Sequence, residues 1–266
     1  MRRFAAILSG LMLACLSALP AQAEGPFDRW AAAVVAGDFH AHSGGSTEAF
    51  DNARRDVSKS LTALGFPPPA QFSVRPRRYP SQGVGASEVK AIQAGLKTAA
   101  DAAPAGCLVY ITSHGAPEGV VLGERLLRPQ RLAAMVDGAC PGRPSIVVIS
   151  ACFSGVFVPV LERDDRMILT AARPDRTSFG CGESDRYPYF DDCFLREIEQ
   201  ARDFVALGRA VQACVARKET DTGMSPPSEP QVWIGPELRP LLPLYAFAKA
   251  RKPAPAAPSA APPVGN

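Results

Sequence analysis

Two stretches limit what this chain can fold into more than any others. They are Cys107–Leu–Val–Tyr–Ile–Thr–Ser–His114–Gly115 and Ser145–Ile–Val–Val–Ile–Ser–Ala–Cys152–Phe–Ser–Gly155. Each is a short apolar run rich in β-branched residues, the pattern of a strand buried on both faces. Each ends on a reactive side chain, an imidazole in one and a thiol in the other, with glycine close behind. Open α/β sheets carry their reactive groups just past the carboxyl ends of the strands. Two such strands side by side bring His114 and Cys152 to one rim, so the pattern predicts a Cys-His pair.

The rest of the chain alternates in the same way. Trp30–Ala36, Gln71–Val74 and Met167–Ala171 read as further strands, and Glu48–Leu64 has apolar residues at helical spacing, closed by Gly65 and Pro67–Pro68–Pro69. Ser87 is placed to cap a helix running to about Ala103. Pro117–Arg128 reads as a loop or small hairpin, and Pro129–Val136 as a short helix. Arg173–Pro188 reads as a polar loop, Phe190 to about Lys218 as a helix broken near Gly208, and Val232–Ile234 as an edge strand. Strands alternating with helices predict a parallel sheet covered on both faces. The Pro/Ala-rich stretch from Lys252 onward lacks the apolar content of a core and reads as a disordered tail over 249–266.

Met1–Arg2–Arg3, the apolar run Phe4–Leu19 and the small residues Ala21 and Ala23 form a secretory leader. The expectation is a leader over 1–23, a mature chain from Glu24, and one domain over 24–248, located in the periplasm or secreted. A lipoprotein signal acylated at Cys15 is the competing reading, weakened by a poor Met12–Leu13–Ala14 lipobox. The run is shorter than the roughly 20 apolar residues of a membrane anchor, so stable membrane insertion is not expected. Losing Arg2 and Arg3 takes the formal charge from +3 to +1, which gives no reason to expect a nucleic-acid partner.

Export changes the reading of the cysteines. Six stay in the mature chain, and a nucleophilic Cys152 must remain free. Cys107 and Cys140 sit just before core strands at the opposite rim, a plausible disulfide. Cys193 and Cys214 are placed to bridge a helical hairpin, leaving Cys181 free. No Cys-x-x-Cys pair occurs, which argues against a metal site and against a disulfide-handling protein. His40 and His42 read as polar loop residues near the rim, not metal ligands. No cofactor is called for.

The motifs also carry a resemblance. Tyr110–Ile–Thr–Ser–His–Gly–Ala–Pro117 and Ile149–Ser–Ala–Cys–Phe–Ser–Gly155 resemble the two catalytic blocks of the legumain-like (asparaginyl endopeptidase) cysteine peptidases, bacterial branch, in one clan with caspases and gingipains. Ala171–Cys181 is similar to a third block of that family, which helps build the pocket for the residue before the scissile bond. The resemblance implies a three-layer caspase/legumain-like fold with a mostly parallel sheet. It also implies an endopeptidase working through Cys152 and His114, with peptides or proteins as substrates and the Gly115 and Cys152 backbone N–H groups as oxyanion donors. Ser150, Ser178, Glu183 and Asp185 fall where pocket residues belong, with Glu183 and Asp185 equally readable as solvated loop charge. His42, Asp51 and Asn52 are the candidates to orient the imidazole. The family's pocket arginine has no match, since 38–53 contains no Arg or Lys; strict cleavage after Asn or Asp is therefore open. A transpeptidase of the same family and a catalytically weak peptide-binding module are the alternatives. Asp164–Asp165 and Asp191–Asp192 read as loop-borne and helix N-terminal acids, and Arg75–Pro–Arg77–Arg78 as a solvated basic loop.

Overall fold

The structure is a computed structural model that describes residues 25–247. The expected leader, Cys15 and the Pro/Ala-rich stretch lie outside the described residues. In chain order the elements are β1 (Trp30–Ala36), α1 (Ala49–Ala63), β2 (Ala70–Ser73), β3 (Gly85–Ala86), α2 (Val89–Ala102) and β4 (Gly106–Thr112). The short strands β5 (Gly115–Ala116), β6 (Gly119–Leu122) and β7 (Arg125–Leu127) follow, then α3 (Pro129–Ala139), β8 (Ser145–Ser150) and α4 (Val158–Leu161). The last are β9 (Arg166–Thr170), α5 (Tyr189–Ile198), α6 (Phe204–Asp221) and β10 (Gln231–Ile234).

Seven strands form the main sheet in the order β10-β9-β8-β4-β1-β2-β3, and β5, β6 and β7 make a separate small sheet. Every neighbouring pair in the main sheet is parallel except β10 with β9. Every residue of β1, β4, β8 and β9 is buried, because helices cover both faces. Leu108 and Tyr110 of β4 pack in a core with α1, α5 and α6. Val109 and Ile111 point the other way, into a core with α2, α3 and α4. The period of two along the strand thus feeds both cores, and each fully buried aliphatic side chain contributes about 1.5–3 kcal/mol relative to exposure.

Both cysteine pairs are bonded. Cys107–Cys140 fastens the amino end of β4 to the end of α3, and Cys193–Cys214 joins α5 to α6. Among the described residues Cys152 and Cys181 are free.

Several local expectations need correction. The expected long helix is two helices, and the break falls before Phe204, not at Gly208. Asp203 caps α6 by accepting the Ala206 N–H at 2.7 Å, a side-chain stop signal stronger than a mid-helix glycine. Gly208 instead lets the helix lie against Val232 and Met167. Ser87 does not cap α2; its hydroxyl donates to the Ala36 carbonyl at 2.7 Å and ties the chain to the end of β1. Of the basic cluster, Arg75 and Arg78 both reach Glu48, and Arg75 also stacks over the Phe39 ring at 4.6 Å. That cluster is therefore a brace between two loops.

Candidate active site

The register of the sheet sets the site. Thr112 of β4 pairs with Ser150 of β8. His114 and Cys152 each lie two residues further on, so they leave the sheet at the same level on neighbouring strands. The approach there is close enough to demand glycine: a Cβ on Gly115 would stand 2.1 Å from the Cys152 carbonyl oxygen. This gives the His-Gly dipeptide its physical reason.

Cys152 is half-buried at the mouth of a sharp turn. Phe153, the next residue, takes the left-handed conformation at φ 57°, and its N–H is held by the Arg176 carbonyl at 2.8 Å. A non-glycine residue in that region is strained by about 1–3 kcal/mol, tolerated when the surroundings fix it. The turn lifts the thiol out of the strand, and a short 3₁₀ segment, Ser154–Phe157, follows. The sulfur accepts the Ser178 N–H at 3.3 Å and lies 3.6 Å from both the carbonyl and hydroxyl oxygens of Ser178. Among the described residues the Cys152 backbone N–H makes no hydrogen bond and is free to donate to a substrate.

The His114 ring stands edge-on to Phe50 with centroids 5.1 Å apart. Its Nε2 lies 2.9 Å from the carbonyl oxygen of His40. A carbonyl only accepts, so Nε2 carries the proton and Nδ1 keeps its lone pair as a base. Asp38 holds that carbonyl in place: its Oδ1 accepts from the Phe39 and His40 N–H groups and pairs with His40 Nδ1 at 2.7 Å. The imidazole is thus oriented by backbone, and the three side chains read as candidates lie elsewhere. His42 is exposed and donates its N–H to the Cys181 carbonyl. Asp51 is buried in a salt bridge with Arg54 and accepts from Ser73. Asn52 donates to the Arg186 carbonyl. Asp38 was missed because a single aspartate at the head of a polar loop looks like any turn residue; its position two before His40 is the signal that could have found it.

The pocket candidates separate in the same manner. Ser178 is beside the thiol. Ser150 is buried, and its hydroxyl donates inward to Asp191 at 2.5 Å, away from any cleft. Glu183 is exposed and accepts from Ser43 at 2.7 Å, with Gly45 directly beneath it. Asp185 accepts the Gly182 N–H within its own loop. A backbone hydrogen bond of 3.2 Å from the His42 N–H to the Cys181 carbonyl, and one of 3.0 Å from the Thr47 hydroxyl to the Gly182 carbonyl, join the two loops into one wall. Cys181 belongs to that wall; burial, and then the neighbouring Cys152, push its thiol up to about 11.

Asp191 is a further correction. It is not a solvated helix-terminal acid: it is fully buried, while Asp192 beside it pairs with Arg196 and Lys218. Burial pushes the Asp191 carboxyl up to about 7, against the pull of hydrogen bonds from Ser150, Tyr110 and Thr112. Among the described residues no group of side chains is arranged to hold a metal ion.

The mostly parallel sheet with helices on both faces is a caspase-like fold, and the comparisons support a cysteine-type peptidase. The Peptidase C13 family matches residues 83–213, a span containing both His114 and Cys152. Over that stretch the chain is similar to this family, the legumain family. Among solved structures, the crystal structure of caspase-1 from Spodoptera frugiperda is similar in fold with a TM-score of 0.56. The match covers 81% of this chain and 92% of that one at 20% identity. No curated protein matches the chain.

Proposed function

We propose that the protein is an exported cysteine endopeptidase in which Cys152 is the nucleophile and His114 the general base. The observation that carries this reading is the packing of Gly115 against the Cys152 carbonyl at the shared end of β4 and β8. In this reading the Cys152 thiol passes its proton to Nδ1 of His114, and the thiolate attacks the peptide carbonyl. The N–H groups of Cys152 and Gly115 receive the developing oxyanion; losing one such donor typically costs about 2.7–4 kcal/mol of barrier lowering. The imidazolium then protonates the leaving amine, and water hydrolyses the thioester. Export is supported by the two disulfides, which suit an oxidising compartment. No helix among the described residues is long and apolar enough to cross a membrane. The acidic and hydroxyl groups of the joined loop wall favour a polar residue before the cut, with Asn and Asp the first to test.

Acyloxymethyl-ketone probes with asparaginyl, aspartyl and arginyl groups test this directly. One of them should label the wild-type protein at Cys152, with labelling lost in Cys152→Ala and turnover abolished in His114→Ala at nearly unchanged melting temperature. Well-folded protein that no probe labels would favour the binding-module reading instead.

A further inference from the structure

Asp191 is a buried carboxylate whose side-chain partners, among the described residues, are all hydroxyls. Its Oδ1 accepts from Tyr110 at 2.8 Å, and its Oδ2 accepts from both Thr112 at 3.1 Å and Ser150 at 2.5 Å. Thr112 and Ser150 are the last residues of β4 and β8 and face each other across the sheet. One oxygen atom therefore bridges the two strands two residues short of His114 and Cys152. Buried carboxylates are ordinarily paired with a cation, and leaving one unpaired weakens the fold. Perturbed acids of this kind gather at functional sites.

We propose that Asp191 is the positioning residue of the reactive centre: its carboxylate grips the ends of both strands and so fixes the separation of His114 and Cys152. The idea deepens the peptidase reading and rests on it for its consequence in catalysis. Ionised, the carboxylate accepts all three hydroxyl protons. Protonated, it loses acceptor capacity on one oxygen, and a bridging bond has to turn or break. The tie is firm above about pH 7 and looser below, following the Asp191 carboxyl. The other titratable group touching it is Tyr110 on β4, whose phenol burial and then the Asp191 charge drive far up, so it stays neutral. Thr112 and Ser150 do not titrate; on the helices packed against α5, Asp51 and Arg54 of α1 pair with each other, Lys218 of α6 pairs with Asp192, and Glu219 of α6 accepts the Ser228 N–H.

The test uses the whole chain and reads Cys152 without any substrate. Iodoacetamide alkylation of Cys152, followed by peptide mass, is measured from about pH 5.5 to 9 in wild type and Asp191→Asn. The wild-type profile should carry an inflection near pH 7 that the variant lacks. The variant's kcat should fall ~100-fold with KM nearly unchanged, the scale of a misplaced reacting group. A folded Asp191→Asn with wild-type kcat and a superimposable profile overturns the proposal. If that variant does not fold, Thr112→Val and Ser150→Ala each remove one bond and leave the carboxylate two partners. A smaller loss in kcat and a displaced inflection in either supports the tie, and wild-type behaviour in both sinks it. Peptide cleavage surviving in Cys152→Ala would sink the nucleophile reading alone, while the alkylation comparison would still judge the tie.

Discussion

The buried Asp191 carboxyl makes stability itself depend on pH in an unusual direction. Its ordinary value of 3.8 is raised to about 7 by burial. At 1.36 kcal/mol per unit, that difference corresponds to about 4 kcal/mol, or roughly a thousandfold in the folding equilibrium. The folded state holds this proton more tightly than the unfolded chain does. Between about pH 4 and 7 the unfolded chain has released it and the folded one has not, so stability falls as pH rises. The contribution is complete below pH 4 and gone above pH 7. Asp56 works in the opposite sense: burial opposes its ionisation, but hydrogen bonds from Arg55, Tyr187 and Lys59 win and hold it well below its usual range. Its contribution is lost only as pH falls below about 4, outside this window. Urea unfolding of wild type and Asp191→Asn, followed by the fluorescence of Trp30 and Trp233, isolates the effect, because every other titration is common to both proteins. The wild-type advantage over the variant should shrink by about 4 kcal/mol between pH 4 and pH 8. Parallel curves across that range would refute both the burial of the charge and the reasoning built on it.

Other outcomes can be checked more quickly. Gly115→Ala places a Cβ 2.1 Å from the Cys152 carbonyl and should lower kcat/KM at least ~100-fold; an active variant would rule out the close approach of the two rims. Replacing Cys193 and Cys214 by serine opens a loop with a sequence separation of 21 and should cost about 3 kcal/mol in urea unfolding. The 33-residue separation of Cys107 and Cys140 gives a slightly larger loss, about 4 kcal/mol. Iodoacetamide near pH 7.5 should alkylate Cys152 well before Cys181, whose thiol is pushed up to about 11; equal rates would contradict the burial of Cys181.

What could be read from the sequence was whatever the chain encodes locally. β4 and β8 announce themselves because a strand covered on both faces must be apolar along its whole length, and their terminal His and Cys follow at once. Other features depend on how elements meet. The orientation of β10 is fixed by the route of the chain after α6, which periodicity does not record. The partner of the imidazole is the His40 carbonyl, and a backbone oxygen has no letter in the sequence. Asp191 looks like an ordinary first-turn acid, yet it lies on the stripe shared with Phe194 and Ile198, three and seven residues on, and that stripe faces the sheet. Spacing held the clue, but the charge masked it.

The placement of the sulfur atoms has a consequence for the protein's own survival. In the proposed reading Cys152 reacts as a thiolate, and thiolates also attack disulfides, so a protein holding both risks scrambling itself. Here the seven residues from Cys107 to His114 set roughly 20 Å between the first crosslink and the reactive rim. The second is sealed, with Cys193 fully inaccessible and Cys214 nearly so. Distance insulates one bond and enclosure the other, so the chain can keep its staples while carrying a reagent able to cut them.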